Sequence, residues 1–320
     1  MPAAIEVRDL VRTYGDTRAV DGVSFTVEPG EVFAILGPNG AGKSTTVEIL
    51  EGHRTRTSGE VEVLGVDPAR GGRAFRDRIG VVLQSSGIDR ELTAREVLDL
   101  YGAAYSKRRP VDEVLELVEL SEKADSRVGS LSGGQQRRLD VALGLIGDPE
   151  LIFLDEPTTG FDPAARRRSW EVIGNLAASG RTVVLTSHYL EEAETLADRL
   201  VVFAGGRVVA SGTPDDLRAT AGSDTRISFR FPLVDEPVTS LMEPLVGEGW
   251  GRGRHLEVIT PNPTADLAHL TSWALERGLE LEDLTVESAS LEDVYLRLVG
   301  GEGDGVGDDE GDRAGDGAPS

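Results

Sequence analysis

Two periods of apolar residues alternate along the chain. VFAILG (32–37), LIFLDEP (151–157) and TVVLTSH (182–188) are short continuous apolar runs that lead into turns or helical sequence, which predicts strands covered on both faces. VEVLGV (61–66) and IGVVLQ (79–84) predict further strands. Residues 5–10 and 23–27 instead alternate apolar with polar, which predicts edge strands, the second closing at Pro29-Gly30. Residues 43–52 have helical spacing, and so does the long stretch 90–125, rich in Leu, Glu and Ala with few turn signals. That stretch predicts a helical subdomain of about residues 90–145 inserted between strands. Buried strands alternating with helices predict a mainly parallel sheet with helices on both faces.

The pattern changes near Ala221-Gly222. RISFRF (226–231), a short helix near 237–246, HLEVIT (255–260), a helix across 265–277, LELEDLTVES (279–288) and a last helix over 291–299 make a small α+β unit. Ser290 with Asp293 three residues on is a capping-box start for that last helix. From Gly300 the chain is rich in Gly and Asp with almost nothing to bury, which predicts disorder over 300–320. The expected organisation is a main domain at 4–221, an accessory α+β domain at 222–299 and an acidic tail.

Composition narrows the partners. The 320 residues carry a formal net charge of -23, so bulk affinity for nucleic acid or anionic lipid is not expected. Lys43, Lys107 and Lys123 are the only lysines among 33 basic residues, an arginine bias that fits a high-GC bacterial genome better than halophily. There is no cysteine, which removes disulfides and thiolate metal sites. No run approaches the roughly 18 apolar residues of a membrane span, and the start MPAAIEVRDL lacks an apolar signal core. The expected location is cytoplasmic, with any membrane spans supplied by another polypeptide.

Three motifs carry chemistry. Gly37-Pro38-Asn39-Gly40-Ala41-Gly42-Lys43-Ser44 is a P-loop pattern between a buried strand and a helix. Its glycines let backbone N–H groups converge on phosphate, Lys43 neutralises the β and γ phosphates, and the Ser44 hydroxyl ligates magnesium. A Gly-rich turn can be merely structural, but the full pattern in this context favours a nucleotide. Asp155 and Glu156 close the buried strand LIFLDEP. Alone they could be helix caps; downstream of a P-loop, Asp155 suits a magnesium-holding acid and Glu156 a general base for the attacking water. Leu131-Ser132-Gly133-Gly134-Gln135 reads locally as a capping box, Ser132 with Gln135. A capping box does not need two glycines, and Ser-Gly-Gly leaves a bare helix N-terminus that phosphate can approach. The chain's own phosphates are already served, so this second terminus suits another subunit's ATP.

LSGGQ followed by LIFLDEP resembles the signature and Walker B motifs of ABC ATPases. The resemblance implies a P-loop NTPase of the α/β class: a mainly parallel core sheet, an antiparallel β edge, an inserted helical subdomain and here a small C-terminal α+β domain. It implies a head-to-tail dimer in which Ser132, Gly133, Gly134 and Gln135 reach the partner's γ-phosphate. Gln84 matches the Q-loop glutamine at magnesium and attacking water, His188 the switch histidine, and Tyr14 the aromatic that stacks on adenine. Val20 and Thr45 join the ATP-binding set, and Asp162 fits the D-loop, with Phe161 where the family more often has leucine. EGHRTRTSGEVEVLGVDP (51–68), RRLDVALGLIGDPELIFLDEPTTGFDP (137–163) and SLEDVYLRLVG (290–300) are similar to ATPase subunits of ABC-2 type exporters of the daunorubicin-resistance-like group.

The implied reading is an ATPase with ATP and Mg2+ as cofactors and no other metal. It would work as a homodimer under a separate ABC-2 permease and export a drug, antibiotic or lipid-like substrate. The alternative is a soluble ABC ATPase acting on a macromolecular partner. It is opposed by the absence of heptad runs, by each motif occurring once, and by the acidic charge. A nucleotide-binding regulator without catalysis would lack a catalytic residue, whereas Lys43, Gln84, Glu156 and His188 are all present.

Overall fold

A computed structural model describes residues 2–82, 87–220, 225–230, 248–252, 254–288, 291, 292 and 295. The expected helix near 237–246, the Ser290/Asp293 capping box, the tail and Gln84 lie outside these residues. In chain order the elements are β1 (Ile5–Tyr14), β2 (Thr17–Val27), β3 (Val32–Leu36), α1 (Lys43–Leu50), β4 (Ser58–Val63), α2 (Gly72–Arg76), β5 (Ile79–Val82), α3 (Ala94–Gly102), α4 (Val111–Leu117), α5 (Gly133–Leu145) and β6 (Leu151–Asp155). There follow α6 (Pro163–Ala178), β7 (Thr182–Ser187), α7 (Leu190–Leu196), β8 (Arg199–Ala204), β9 (Arg207–Gly212), α8 (Pro214–Thr220), β10 (Thr225–Arg230), β11 (Glu248–Arg252), β12 (His255–Thr260), α9 (Pro263–Glu276) and β13 (Glu282–Ser288).

The central sheet has the order β5-β6-β7-β3-β8-β9, parallel except for β9. Its continuous apolar strands are buried on both faces because successive side chains alternate between two cores. In β3, Val32, Ala34 and Leu36 enter one core while Phe33 and Ile35 enter the other; in β6, Ile152 and Leu154 oppose Leu151 and Phe153. Each buried Val, Leu, Ile or Phe among these contributes on the order of 1.5–3 kcal/mol of burial. The first core is closed by helices α3 to α7. The second is closed by α1 and an antiparallel sheet of order β2-β1-β4.

Several expectations are corrected. β1 is the middle strand of its sheet, not an edge, since it pairs with both β2 and β4. The strand expected over 61–66 ends at Val63; Leu64 takes a positive φ of 50° and Val66 turns back to bridge Val63. Within the helical subdomain expected from residue 90 onward, the stretch 90–125 holds two short helices, α3 and α4, joined by residues 103–110 and followed by tight turns. Strands β8, β9 and β11 have no counterpart in the sequence reading.

The C-terminal unit is an antiparallel sheet of order β11-β12-β10-β13. Ile227, Phe229, Leu256 and Val258 form its own core with Leu270, Trp273 and Ala274 of α9. The chain then returns to the main body. Leu291 is buried in the first core, and its backbone N–H donates to Glu194 Oε1 of α7 at 2.8 Å.

Candidate functional site

Three parallel strands, β3, β7 and β6, end side by side, and their C-terminal ends hold the predicted chemistry. The register sets Leu36 beside Ser187 and Asp155 beside Thr186. Ligands of open α/β sheets bind at such carboxyl ends. The P-loop follows β3 directly. Gly37, Gly40 and Gly42 have φ of 153°, 82° and 101°, conformations that L side chains rarely adopt. A Cβ on Gly37 would lie 2.5 Å from the Phe203 carbonyl oxygen, and one on Gly42 would lie 2.4 Å from that of Ala19. Pro38, Asn39 and Gly40 form the outer turn, with Asn39 and Gly40 exposed, and the Ala41 N–H donates to the Pro38 oxygen at 3.2 Å. No side chain caps the N-terminus of α1, where Ser44 is exposed and Thr45 half-buried.

Lys43 is 5% exposed, and its Nζ donates to the carbonyls of Gly37 at 2.7 Å and Pro38 at 3.1 Å. Among the described residues no carboxylate forms an ion pair with it. Burial lowers its pKa, and the nearby charges of Glu156 and Asp155 oppose that shift. A buried ammonium held by two carbonyls, at a bare helix N-terminus, suits an anion with several oxygens.

The acidic side of the site is held from β7. Thr186 Oγ1 donates to Asp155 Oδ1 at 2.6 Å, and the Glu156 N–H donates to the Thr186 carbonyl at 3.2 Å and to its Oγ1 at 3.1 Å. Glu156 has φ 45°, an uncommon conformation for a non-glycine residue that only surrounding contacts can hold. Thr159 Oγ1 donates to Glu156 Oε2 at 3.1 Å, and His188 Nδ1 lies 3.3 Å from Glu156 Oε1. Lys43, Asp155, Glu156 and His188 thus meet in one place.

Tyr14 and Val20 both lie on the β1–β2 hairpin, Val20 against the loop. Val20 is buried, with a Cγ 3.5 Å from where a Gly42 Cβ would stand. The Tyr14 ring carries the Arg12 guanidinium at 4.5 Å and that of Arg54 at 5.4 Å. Any base stacked there shares the ring with these cations or displaces one.

Ser132, Gly134 and Gln135 belong to a different cleft, of about 170 Å³, which they line with Arg138, Ala165 and Arg168. The capping box is formed: Gln135 N–H donates to Ser132 Oγ at 3.3 Å and Ser132 N–H to Gln135 Oε1 at 2.9 Å. Gly133 is exposed in the first turn of α5. Asp162 caps α6, accepting from the N–H groups of Ala164 and Ala165 at 2.9 Å, and these bonds hold its carboxyl below the usual range.

Two participants have no warning in the motifs. Thr186 lies two residues before His188, and only the strand register shows that it faces Asp155. Arg137 on α5 is 8% exposed and reaches under the acidic segment, donating to the carbonyls of Asp155 at 2.9 Å, Pro157 at 3.1 Å and Glu156 at 3.4 Å.

Residues 20–159 match the ABC transporter family, and residues 225–290 match the C-terminal domain of ABC transporter domain-containing protein-like sequences. The Nod factor export ATP-binding protein I of Rhizobium sp. (strain N33) is 41% identical over 93% of this chain and 98% of its own length. The chain belongs to the ATP-binding proteins of ABC transporters. Such a subunit binds ATP and couples its hydrolysis to transport. A daunorubicin resistance ATP-binding protein of Streptomyces coeruleorubidus, DrrA3, is 39% identical over 93% of this chain and 96% of its own. Among solved structures, cbiO1 from Clostridium perfringens, part of an ABC transporter complex, superimposes with a TM-score of 0.63 at 28% identity, covering 68% of this chain and 92% of its own. A dimeric ATP-binding cassette bound to ADP and Pi gives 0.59 at 27% identity, covering 65% and 98%. No helix among the described residues of this ABC ATPase is long and apolar enough to cross a membrane.

Proposed function

We propose that this ABC ATPase powers an exporter as a homodimer beneath a separate membrane permease of the ABC-2 type. Residues 4–221 would form the cassette, 222–299 an accessory domain and 300–320 a tail. The observation that carries the catalytic reading is the meeting of buried, carbonyl-held Lys43 with Asp155 and Glu156 across the ends of β3 and β6, on either side of β7. The triphosphate of ATP takes the place of the Gly37 and Pro38 carbonyls as partner of Lys43, cradled by the loop from Gly37 to Ser44 with Thr45 behind it. The donor set of Ser44 and Asp155, joined by Gln84 on the family pattern, would hold magnesium, which would neutralise charge on the triphosphate. Tyr14 stacks on adenine, a contact of about 1–3 kcal/mol, with Val20 beneath.

Glu156 accepts a proton from water as the water oxygen bonds to the γ-phosphorus. The bond to the bridging oxygen breaks, and ADP leaves with that electron pair. His188, beside Glu156, hydrogen-bonds the γ-phosphoryl group. Ser132, Gly133, Gly134, Gln135 and Asp162 serve the partner's nucleotide, in keeping with the separate cleft that Ser132, Gly134 and Gln135 line. Export of a drug, antibiotic or lipid-like molecule is supported by the likeness to Nod factor export and daunorubicin resistance proteins. That role places the subunit peripherally on the cytoplasmic face of the membrane, and the arginine-rich composition fits a high-GC bacterium.

Glu156→Gln tests the catalytic reading. ATP affinity should persist while turnover falls about 10²–10⁴-fold, the contribution of a positioned general base. Near-native turnover removes Glu156 from the mechanism. Affinity purification from membranes tests the transport reading: a permease should co-purify, and capture of a ribosomal or DNA-bound assembly in its place overturns it.

A further inference from the structure

Beneath the acidic segment lies a buried carboxylate that the mechanism above does not use. Glu192, on α7 four residues after His188, is fully buried. Its Oε1 accepts from Thr158 Oγ1 at 2.8 Å and from Trp170 Nε1 of α6 at 3.1 Å, while its Oε2 has no hydrogen-bond partner. Thr158 is itself fully buried and stands two residues after Glu156. A buried carboxylate with one oxygen unpaired is costly, and residues kept at such cost usually hold a particular geometry.

The geometry in question is that of residues 155–159. Glu156 sits at φ 45°, so its placement depends on what grips the segment on either side. From α5, whose first turn is the signature, Arg137 binds the carbonyls of Asp155, Glu156 and Pro157. From α7, Glu192 binds the next residue, Thr158. Burial lowers the Arg137 pKa, opposed by the carboxylates of Asp140, Asp155 and Glu192, so the two grips also share one electrostatic environment. As the Trp170–Glu192 bond does, a second contact ties α6 to the start of α7: Arg166 of α6 stacks on Tyr189 at 4.3 Å, and the Tyr189 ring lies 4.1 Å from that of His188.

We propose that Glu192 is a positioning residue for ATP hydrolysis: through Thr158 it fixes the turn carrying Glu156 to the helix that follows His188, so that base and histidine move as one unit. Glu192 is fully buried, and its proposed role runs through Thr158 rather than through the nucleotide. Its effect falls on the alignment of Glu156, and so on kcat rather than on ATP affinity. The proposal rests on the assignment of Glu156 as base.

The test is steady-state ATPase kinetics on the full-length chain, with ATP binding and melting temperature measured alongside. Glu192→Leu removes the acceptor and should lower kcat about tenfold or more with KM and ATP affinity unchanged. Glu192→Gln keeps an acceptor for Thr158 and Trp170 and should recover most of the rate. Thr158→Val should reproduce the loss and Thr158→Ser should not, which decides the matter even where Glu192→Leu fails to fold. Because both variants break the same Thr158–Glu192 hydrogen bond, the double variant Thr158→Val with Glu192→Leu should be no slower than the worse single variant. Native kcat in Thr158→Val, additive losses in the double variant, or a fall in kcat that tracks a rise in KM and a lower melting temperature would each overturn the proposal. Glu156→Gln separates the two readings: native turnover there defeats the base assignment itself, whereas an inactive Glu156→Gln beside an unaffected Thr158→Val defeats only the role of Glu192.

Discussion

A Cβ at Gly42 would stand 2.4 Å from the Ala19 carbonyl, whereas one at Gly40 would meet nothing within 4 Å, although both residues have positive φ. The difference separates backbone strain from collision. Gly40→Ala should lose only the conformational cost of a left-handed alanine, about 1–2 kcal/mol. Gly42→Ala must also push the β1–β2 hairpin away from the loop, which disturbs Val20 and the Lys43 helix together. Thermal unfolding and ATP titration of the pair should show a modest loss of stability with binding kept for Gly40→Ala, and loss of binding for Gly42→Ala. Equal behaviour would mean that the hairpin yields freely. At this scale the motif residues were legible because their chemistry demands particular side chains at short spacing. Thr186 and Arg137 were not, because their roles follow from strand register and from burial of an arginine that local sequence reads as a solvated helix face.

At the scale of elements, continuous apolar runs announced β3, β6 and β7 because burial on both faces removes the polar positions that blur a strand. β1 was legible as a strand but not as a central one, since its alternation reports one covered face and says nothing of how many neighbours share its backbone hydrogen bonds. Long-range charge was equally hidden. Asp148, after α5, accepts from Lys107 Nζ at 2.7 Å and Arg109 Nε at 2.8 Å in the α3–α4 loop, and from Arg181 Nη2 at 2.6 Å ahead of β7. This clasp pins the helical subdomain to the sheet. The hydrogen bonds from Lys107 and Arg109, then Arg181, hold the Asp148 carboxyl well below the usual carboxylate range. A depressed folded pKa means stability that is present above the ordinary carboxylate pKa of about 3.9 and lost as pH falls through and below it. Asp148 has φ 51°, which asparagine tolerates, so Asp148→Asn removes the charge without straining the turn. Its melting temperature should lie below that of the native chain at neutral pH, and the gap should close in acid. A gap that does not change with pH would show that the carboxylate's charge is not what binds the two parts.

At the scale of the whole molecule, the sequence reading proposes a second molecule: one chain has two helix termini proposed to face phosphate, and the structure sets them apart from each other. Lys43 stands close enough to Glu156 for their charges to interact, while Ser132 and Gly134 line another cleft beside Ala165 and Arg168. A Cβ on Gly134 meets the Ala165 Cβ at 3.7 Å, an ordinary contact, so Gly134→Ala should fold normally and serve as the control. Gly134→Asp adds a carboxylate at a terminus proposed to receive the partner's γ-phosphate, and like-charge repulsion there should block closure of the dimer. ATP binding to the isolated variant should survive because its own loop is unaltered, while ATP-driven dimerisation and turnover should fail. The decisive measurement mixes Gly134→Asp with Lys43→Ala. Neither chain is active alone, but the mixed dimer holds one composite site with an intact loop from the first and an intact signature from the second. Partial recovery of turnover, rising with the fraction of mixed dimer, is the expected result for a cassette in which one site can fire alone. Full activity of Gly134→Asp as a strict monomer would reduce the signature to an ordinary capped helix and return the whole of catalysis to a single chain.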